Sequence, residues 1–262
     1  MSFNIRYNNP GDGQNAWPQR KRMVASMFRF HRADLVGVQE ALKDQIDDLE
    51  TLLPEYGWCG VGRSDGKLGG EFSAIFYHKG RFDLLESSTF WLSETPQVAG
   101  SKGWDASLPR IVTWAKFRDK ATKLTFFHFN THFDHKGARA RAESARLLLT
   151  QVGKIARNSP VVVTGDFNAN ESSEPYRILT TGDEAQGKLQ DARYVSANGH
   201  HGPTSTFNNF GPLIPGAKID YVFLKGGVRA LQHGVLADHW DGRWPSDHLP
   251  VLAEVDFPKK QR

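Results

Sequence analysis

Cysteine is almost missing from this chain: Cys59 is the only one in 262 residues. No intramolecular disulfide can form, and no cysteine-ligated zinc site can be built. A lone cysteine of this kind is expected to be a small buried residue rather than a catalytic thiol. Long apolar runs are missing too, none approaching the ~18 residues of a membrane-spanning helix. No signal peptide is visible, and the compartment stays open, because a chain exported after loss of a leader would read the same way. There is no internal repeat, low-complexity tract or linker. There is also no long Lys/Arg run: 33 Lys and Arg against 29 Asp and Glu leave a net charge of +4. That bias suits an anionic substrate without demanding nucleic acid. Duplex DNA is therefore not the favoured partner, single-stranded nucleic acid remains compatible, and no protein partner is legible. Gly60 and Gly62 are followed by Asp65 where a dinucleotide-binding fingerprint needs its third glycine, which removes that reading.

What is present is an ordinary globular composition, 39% hydrophobic and 24% charged, enough for one large core. We read residues 1–262 as one domain. Short β-rich runs alternate with amphipathic stretches. The pattern predicts strands at Phe3–Arg6, Leu35–Gln39, Ser73–His78, Ile111–Phe117, Leu124–Thr131, Pro160–Gly165, Ile219–Leu224 and Val251–Val255. It predicts helices at Trp17–Phe30, Leu42–Leu53 and Ala138–Ile155, the last with Ala142, Ala145, Leu148, Leu149 and Val152 on one stripe. The Gly- and Pro-rich stretches 95–109 and 198–216 read as long loops, which are more often functional than idle.

The informative residues sit at strand ends. Asn4 lies between Phe3 and Ile5, Glu40 follows Val36-Gly37-Val38-Gln39, and His132 closes Phe126-Phe127-His128-Phe129-Asn130-Thr131. Asp166 and Asn168 close Val161-Val162-Val163-Thr164-Gly165, Asp220 interrupts an apolar run, and Ser246-Asp247-His248 leads into the last strand. Each alone has a plain explanation, such as a helix cap, an Asx-turn or a hydrogen-bonded core histidine. Jointly those explanations strain, since carboxylates and imidazoles at the ends of central strands are costly without partners or a metal.

Phosphate-ester hydrolysis accounts for the set. An anionic ester repels nucleophiles, so a hard cation on its oxygens helps. Glu40 and Asn4 offer the oxygen ligands that Mg²⁺, or Mn²⁺ in its place, prefers. Asp166 and His248 are candidates to align and deprotonate water. Asn168, His132 and His248 can donate to the phosphoryl oxygens. Arg110, after the loop that holds Trp104, is either a bidentate phosphate clamp or a surface ion pair. Trp17, Trp104, Trp240 and Trp244 are expected to pack or anchor loops rather than stack on a base. His200-His201 reads as solvated loop.

With these residues in view, the chain resembles the endonuclease/exonuclease/phosphatase superfamily. Six blocks carry the resemblance in order: Ser2-Phe3-Asn4, Gln39-Glu40, Thr131-His132, Gly165-Asp166-Phe167-Asn168, Ile219-Asp220-Tyr221 and Ser246-Asp247-His248. His132 stands where the exonuclease III-like branch has tyrosine, and Lys218-Ile219-Asp220-Tyr221 lacks the Cys-Asp-Arg of the inositol phosphatases. The look is closest to small bacterial members, with a lean toward the nocturnin-like deadenylases. The bacterial features here are Asn15-Ala16-Trp17 with Arg20, Gly70-Glu71-Phe72-Ser73-Ala74-Ile75-Phe76-Tyr77, Phe90-Trp91-Leu92-Ser93, and Pro109-Arg110-Ile111. The resemblance implies an α/β four-layer sandwich, two packed mixed β-sheets flanked by helices, with the site at one edge. It implies a metal at Glu40 with Asn4 and Asp247 close by, Asp166 on the water, Asn168 and His132 on the phosphate, and His248 oriented by Asp220. Strand alternation independently points Asp220 away from Ile219 and Tyr221 into the interior, where His248 is its natural partner.

Overall fold

The computed structural model describes residues 1–182 and 187–258. In chain order the strands are β1 (Ser2–Asn4), β2 (Leu35–Gln39), β3 (Tyr56–Cys59), β4 (Ile75–His78), β5 (Phe82–Trp91), β6 (Ile111–Asp119) and β7 (Thr125–His132). They continue as β8 (Val161–Asp166), β9 (Gln190–Asp191), β10 (His200–His201), β11 (Asp220–Lys225), β12 (Arg229–Val235) and β13 (Val251–Asp256). The helices are α1 (Trp17–Phe30), α2 (Lys43–Leu52), α3 (Ala138–Ala156), α4 (Glu174–Thr181) and α5 (Ala192–Val195). One sheet has the order β10-β12-β13-β1-β2-β4-β3 and the other β5-β6-β7-β8-β11-β9. Both are mixed: β1 runs parallel to β2, and β7 parallel to β8, among antiparallel neighbours.

Period-two alternation sorts each strand between two cores. In β7, Phe127 and Phe129 join Leu148, Leu149 and Val152 of α3 on the outer face, while Phe126 faces the other sheet. In β11, Tyr221 and Phe223 go outward and Val222 and Leu224 inward. In the first sheet, Phe3, Val36 and Val38 pack under α1 and α2, with Val24, Phe28, Ile46 and Leu49. Each fully buried Leu or Phe contributes roughly 1.5–3 kcal/mol. The result is four layers: helix, sheet, sheet, helix.

The inward positions are not all apolar. His128 Nε2–H donates to Thr164 Oγ1 at 2.8 Å, and Thr164 passes its hydroxyl proton to Asn130 Oδ1 at 2.9 Å. Gln39 Nε2 donates to the same oxygen from the opposite sheet at 2.7 Å. The Asn130 amide in turn bonds Val38 O and Ala74 O, so this neutral seam stitches the two sheets. Glycine is required at 37: a Cβ there would fall 2.1 Å from Thr164 Oγ1.

Several elements differ from the sequence reading. The first strand ends at Asn4, and Arg6 adopts φ 54. β3, β5, β9, β10, β12, α4 and α5 were not predicted. His200 is no solvated loop residue: it is half-buried, in β10, with Nδ1 2.9 Å from His233 Nδ1.

Candidate active site

Strand register builds the site. His132 pairs with Asp166 across the β7–β8 ladder, and Asp220 pairs with Asp166 across β8–β11, so three polar side chains form one row at the sheet's end. The facing sheet contributes Asn4 at the end of β1 and Glu40 just after β2. Ser246-Asp247-His248 closes over them, pinned by Ser246 Oγ donating to Asn4 O at 2.7 Å. Glu40 and Asn168 both take left-handed backbone, φ 63 and 46. Asn168 is held there by its N–H, which donates to Asp166 Oδ1 at 2.9 Å.

The contacts are dense. Asn4 Nδ2 donates to Glu40 Oε1 and to Asp166 Oδ2, both at 3.0 Å, and lies 3.5 Å from His248 Nε2. Its Oδ1 accepts from Arg6 N at 3.0 Å, so the amide nitrogen rather than the oxygen faces the carboxylates. His248 Nδ1 sits 2.9 Å from Asp220 Oδ2, and its Nε2 is 3.8 Å from Asp166 Oδ2. His132 Nε2 lies 3.4 Å from the same Asp166 oxygen. Asn168 Nδ2 donates to His132 Nε2 at 3.0 Å and to Phe133 O at 3.1 Å. Asp247 is buried, with Oδ2 3.9 Å from Arg6 Nε.

Burial and charge then set the proton inventory. Burial, reinforced by Asp220 and partly offset by His248, raises the Asp166 carboxyl well above the usual carboxylate range. Burial alone would discharge His248, but Asp220 and Asp166 outweigh it and hold its imidazole charged. Burial, with Arg110 and Arg63 nearby, keeps His132 neutral. Burial also raises Asp247.

Among the described residues, two groups of side chains have the spacing to share a cation: Glu40, His132 and Asp166, and Asp166, Asp220 and His248, each with donor atoms within 4.8 Å of one another. The donor set is rich in oxygen, and Asp220 Oδ1 is buried without a hydrogen bond among the described residues. Glu40 and Asp166, with donor oxygens close together, fit a hard divalent ion.

Arg110 is no surface pair in this geometry. It is buried, with Nε on Asp134 Oδ1 at 3.3 Å and Nη2 2.9 Å from His135 Nδ1. Its Nη1 has no hydrogen bond among the described residues, and the residue lines a small cavity with Arg63, Glu71 and His132. The sequence reading gave no role to Arg63, which bonds Glu71 through both terminal nitrogens at 2.6 and 2.8 Å, or to Asp134. Trp17 is core, donating from Nε1 to Asp48 at 2.8 Å. Cys59 is buried, its thiol pushed up to about 12 by burial.

Two mixed sheets packed face to face, with acids and imidazoles converging at one edge, define a DNase I-like hydrolase sandwich. The chain belongs to the endonuclease/exonuclease/phosphatase family, whose family model matches residues 1–248. A family member from Bacteroides vulgatus is 42% identical, superposes with a TM-score of 0.93, and is matched over 98% of this chain and 97% of its own. A mannosyl-6-phosphatase from Bacteroides thetaiotaomicron is 38% identical, with a TM-score of 0.90 and 98% of each chain covered. A 3'-5' exoribonuclease subunit of the Candida albicans CCR4-Not complex is 21% identical over 94% of this chain, which spans only 38% of that protein. Membership gives the coarse activity: a phosphoesterase or nuclease, hydrolysing a phosphate ester.

Proposed function

We propose that the chain is a divalent-metal-dependent phosphatase or phosphodiesterase that acts on a small phosphorylated substrate with Mg²⁺, Mn²⁺ being able to replace it. The observation that carries this reading is the carboxylate set, buried Asp166, Asp220 and Asp247 with half-buried Glu40, gathered round the charged His248. Glu40 would hold the ion, with Asp247 and Asn4 beside it. When bound, the ion polarises a phosphoryl oxygen and offsets charge on the ester. Asp166, its proton affinity raised, takes the proton of the attacking water. His248, held by Asp220 through Nδ1, presents Nε2–H to the phosphoryl oxygens as charge builds on phosphorus. Asn168 donates to His132 Nε2 in the free protein and turns that amide donor to a phosphoryl oxygen on binding, with His132 beside it. Asn4 bridges Glu40 and Asp166 and fixes their separation. Arg110, with a spare Nη1, contributes positive potential beside His132.

The small-substrate reading draws on the mannosyl-6-phosphatase relative, similar over the full length. A second reading, a nuclease on RNA or single-stranded DNA, draws on the exoribonuclease relative. Turnover of hexose 6-phosphates, bis-p-nitrophenyl phosphate, single-stranded RNA and duplex DNA separates the two. We expect the small esters to lead and duplex binding to be weak, with a log–log salt slope shallower than about −3. Full activity after exhaustive chelation would sink the metal requirement. Glu40→Gln should raise the Mg²⁺ concentration at half-maximal rate by about tenfold or more, since a carboxylate facing a dication acts through its charge. An unchanged half-saturation removes Glu40 from the ion site.

A further inference from the structure

Arg20 carries a charge deep in the fold, yet its hydrogen bonds go to main-chain carbonyls rather than to a carboxylate. The residue is 1% exposed. Its Nε donates to Asn15 O at 2.8 Å. Nη1 donates to Ile5 O and, at 3.1 Å, to Pro245 O. Nη2 donates to Arg6 O at 2.6 Å and reaches Tyr7 O at 3.5 Å. The guanidinium lies over the rings of Trp17 and Phe210, 5.2 and 5.6 Å from their centroids.

Those carbonyls belong to the segments that shape the metal-facing edge. Ile5, Arg6 and Tyr7 continue directly from Asn4. The Tyr7 N–H donates to Glu40 Oε2 at 3.2 Å, so the course of this segment sets the carboxylate. Pro245 precedes Ser246-Asp247-His248. One planar fork therefore ties the exit of β1 to the turn that brings in Asp247 and His248. A lone buried guanidinium is costly unless every N–H is used. Burial lowers its proton affinity to about 10, which leaves it charged at neutral pH. Its geometry matters as much as its charge, because a lysine at this site would carry the charge but could not span three segments.

We propose that Arg20 is a positioning residue: it clamps Ile5–Tyr7 against Pro245 and so assembles the Glu40–Asp247 edge before any ion arrives. The proposal rests on the metal-dependent reading only through its readout. The test uses the full-length protein, with Mn²⁺ as the probe, measured by calorimetry in the absence of substrate and then by turnover of bis-p-nitrophenyl phosphate. Arg20→Lys should stay folded by circular dichroism and bind Mn²⁺ about tenfold more weakly, with kcat reduced by at least as much. Phe210→Ala, which removes one ring from the guanidinium, should shift Mn²⁺ affinity the same way by about threefold. A folded Arg20→Lys with Mn²⁺ affinity and kcat within twofold of the unaltered protein overturns the clamp. Should Arg20→Lys fail to fold, unchanged affinity in Phe210→Ala overturns it equally. If the unaltered protein itself binds no Mn²⁺ and turns over without metal, the metal-dependent reading has failed, and kcat of a folded Arg20→Lys within twofold of the unaltered protein then overturns the clamp by itself.

Discussion

The same inward faces of β7 and β8 hold two polar regions with opposite characters. Deep in the sandwich, His128, Asn130, Thr164 and Gln39 form a neutral seam in which every shared proton has one direction. Two residues further along the same strands, His132 and Asp166 join Asp220, Glu40 and His248 in a charged mouth. The two buried histidines show the contrast. His128 has a hydroxyl as its partner, and burial lowers its pKa to about 3. His248 has Asp220 and Asp166, and they raise its pKa despite equal burial. Depth alone therefore decides nothing; the partner decides whether an imidazole in this interior is a neutral connector or a cation.

Breaking the mouth should produce the largest effect. Asp220→Asn keeps the shape but removes the anion that charges and aims His248. The rate should fall by about 10²-fold or more, with the pH profile displaced where His248 titrates. Near-normal rate with an unmoved profile would show that Asp220 is only structural. Paired with His248→Ala, losses that multiply fully in the double variant would mean the two residues act independently.

The next effect concerns pH and stability, where the two regions pull in opposite directions. His128 has a depressed folded pKa, so its contribution is fully present above the unfolded value of ~6.5 and is lost as pH falls toward 3, at up to about 1.4 kcal/mol per pH unit. His248 has a raised folded pKa, so its contribution is complete below ~6.5 and is lost as pH rises through the folded value. Asp166, also raised, acts in the same sense: the fold resists its ionisation, and stability declines as pH climbs above ~3.9. Urea unfolding from pH 4 to 9 should show His128→Gln flattening the acid arm and Asp220→Asn altering the alkaline one. Identical arms in both variants would erase the distinction.

The smallest effect tests whether the seam is purely structural. Thr164→Val leaves His128 Nε2–H without its acceptor and should cost about 1–3 kcal/mol of stability. The rate of the folded fraction should stay within about threefold. A large loss of kcat at unchanged stability would mean that the seam tunes the mouth.

Much of this was legible in the chain. α1 begins and ends at the residues expected from its periodicity, and α3 runs one residue longer. The polar residues at strand ends announced themselves because they interrupt strong β runs. β5 escaped because residues 84–89, Leu-Leu-Glu-Ser-Ser-Thr, are half-buried or exposed; its long hairpin with β6, not its composition, makes it a strand. β12 escaped because Gln232, His233 and Gly234 have weak strand preference and a register shift follows Ala230. The Arg110–Asp134 and Arg63–Glu71 pairs were hidden because a buried arginine and an exposed one read alike until the fold places the partner.

The backbone at Glu40 and Asn168 bends the way only glycine does freely, and each such position costs roughly 1–2 kcal/mol in an ordinary residue. Glycine at either place would relax the chain while deleting the side chain that justifies the bend. A screen that rewards toughness alone would be drawn to those substitutions. A hardier protein altered at position 40 or 168 should therefore be checked for turnover first, since its gain in melting temperature would be the mark of a blunted catalyst.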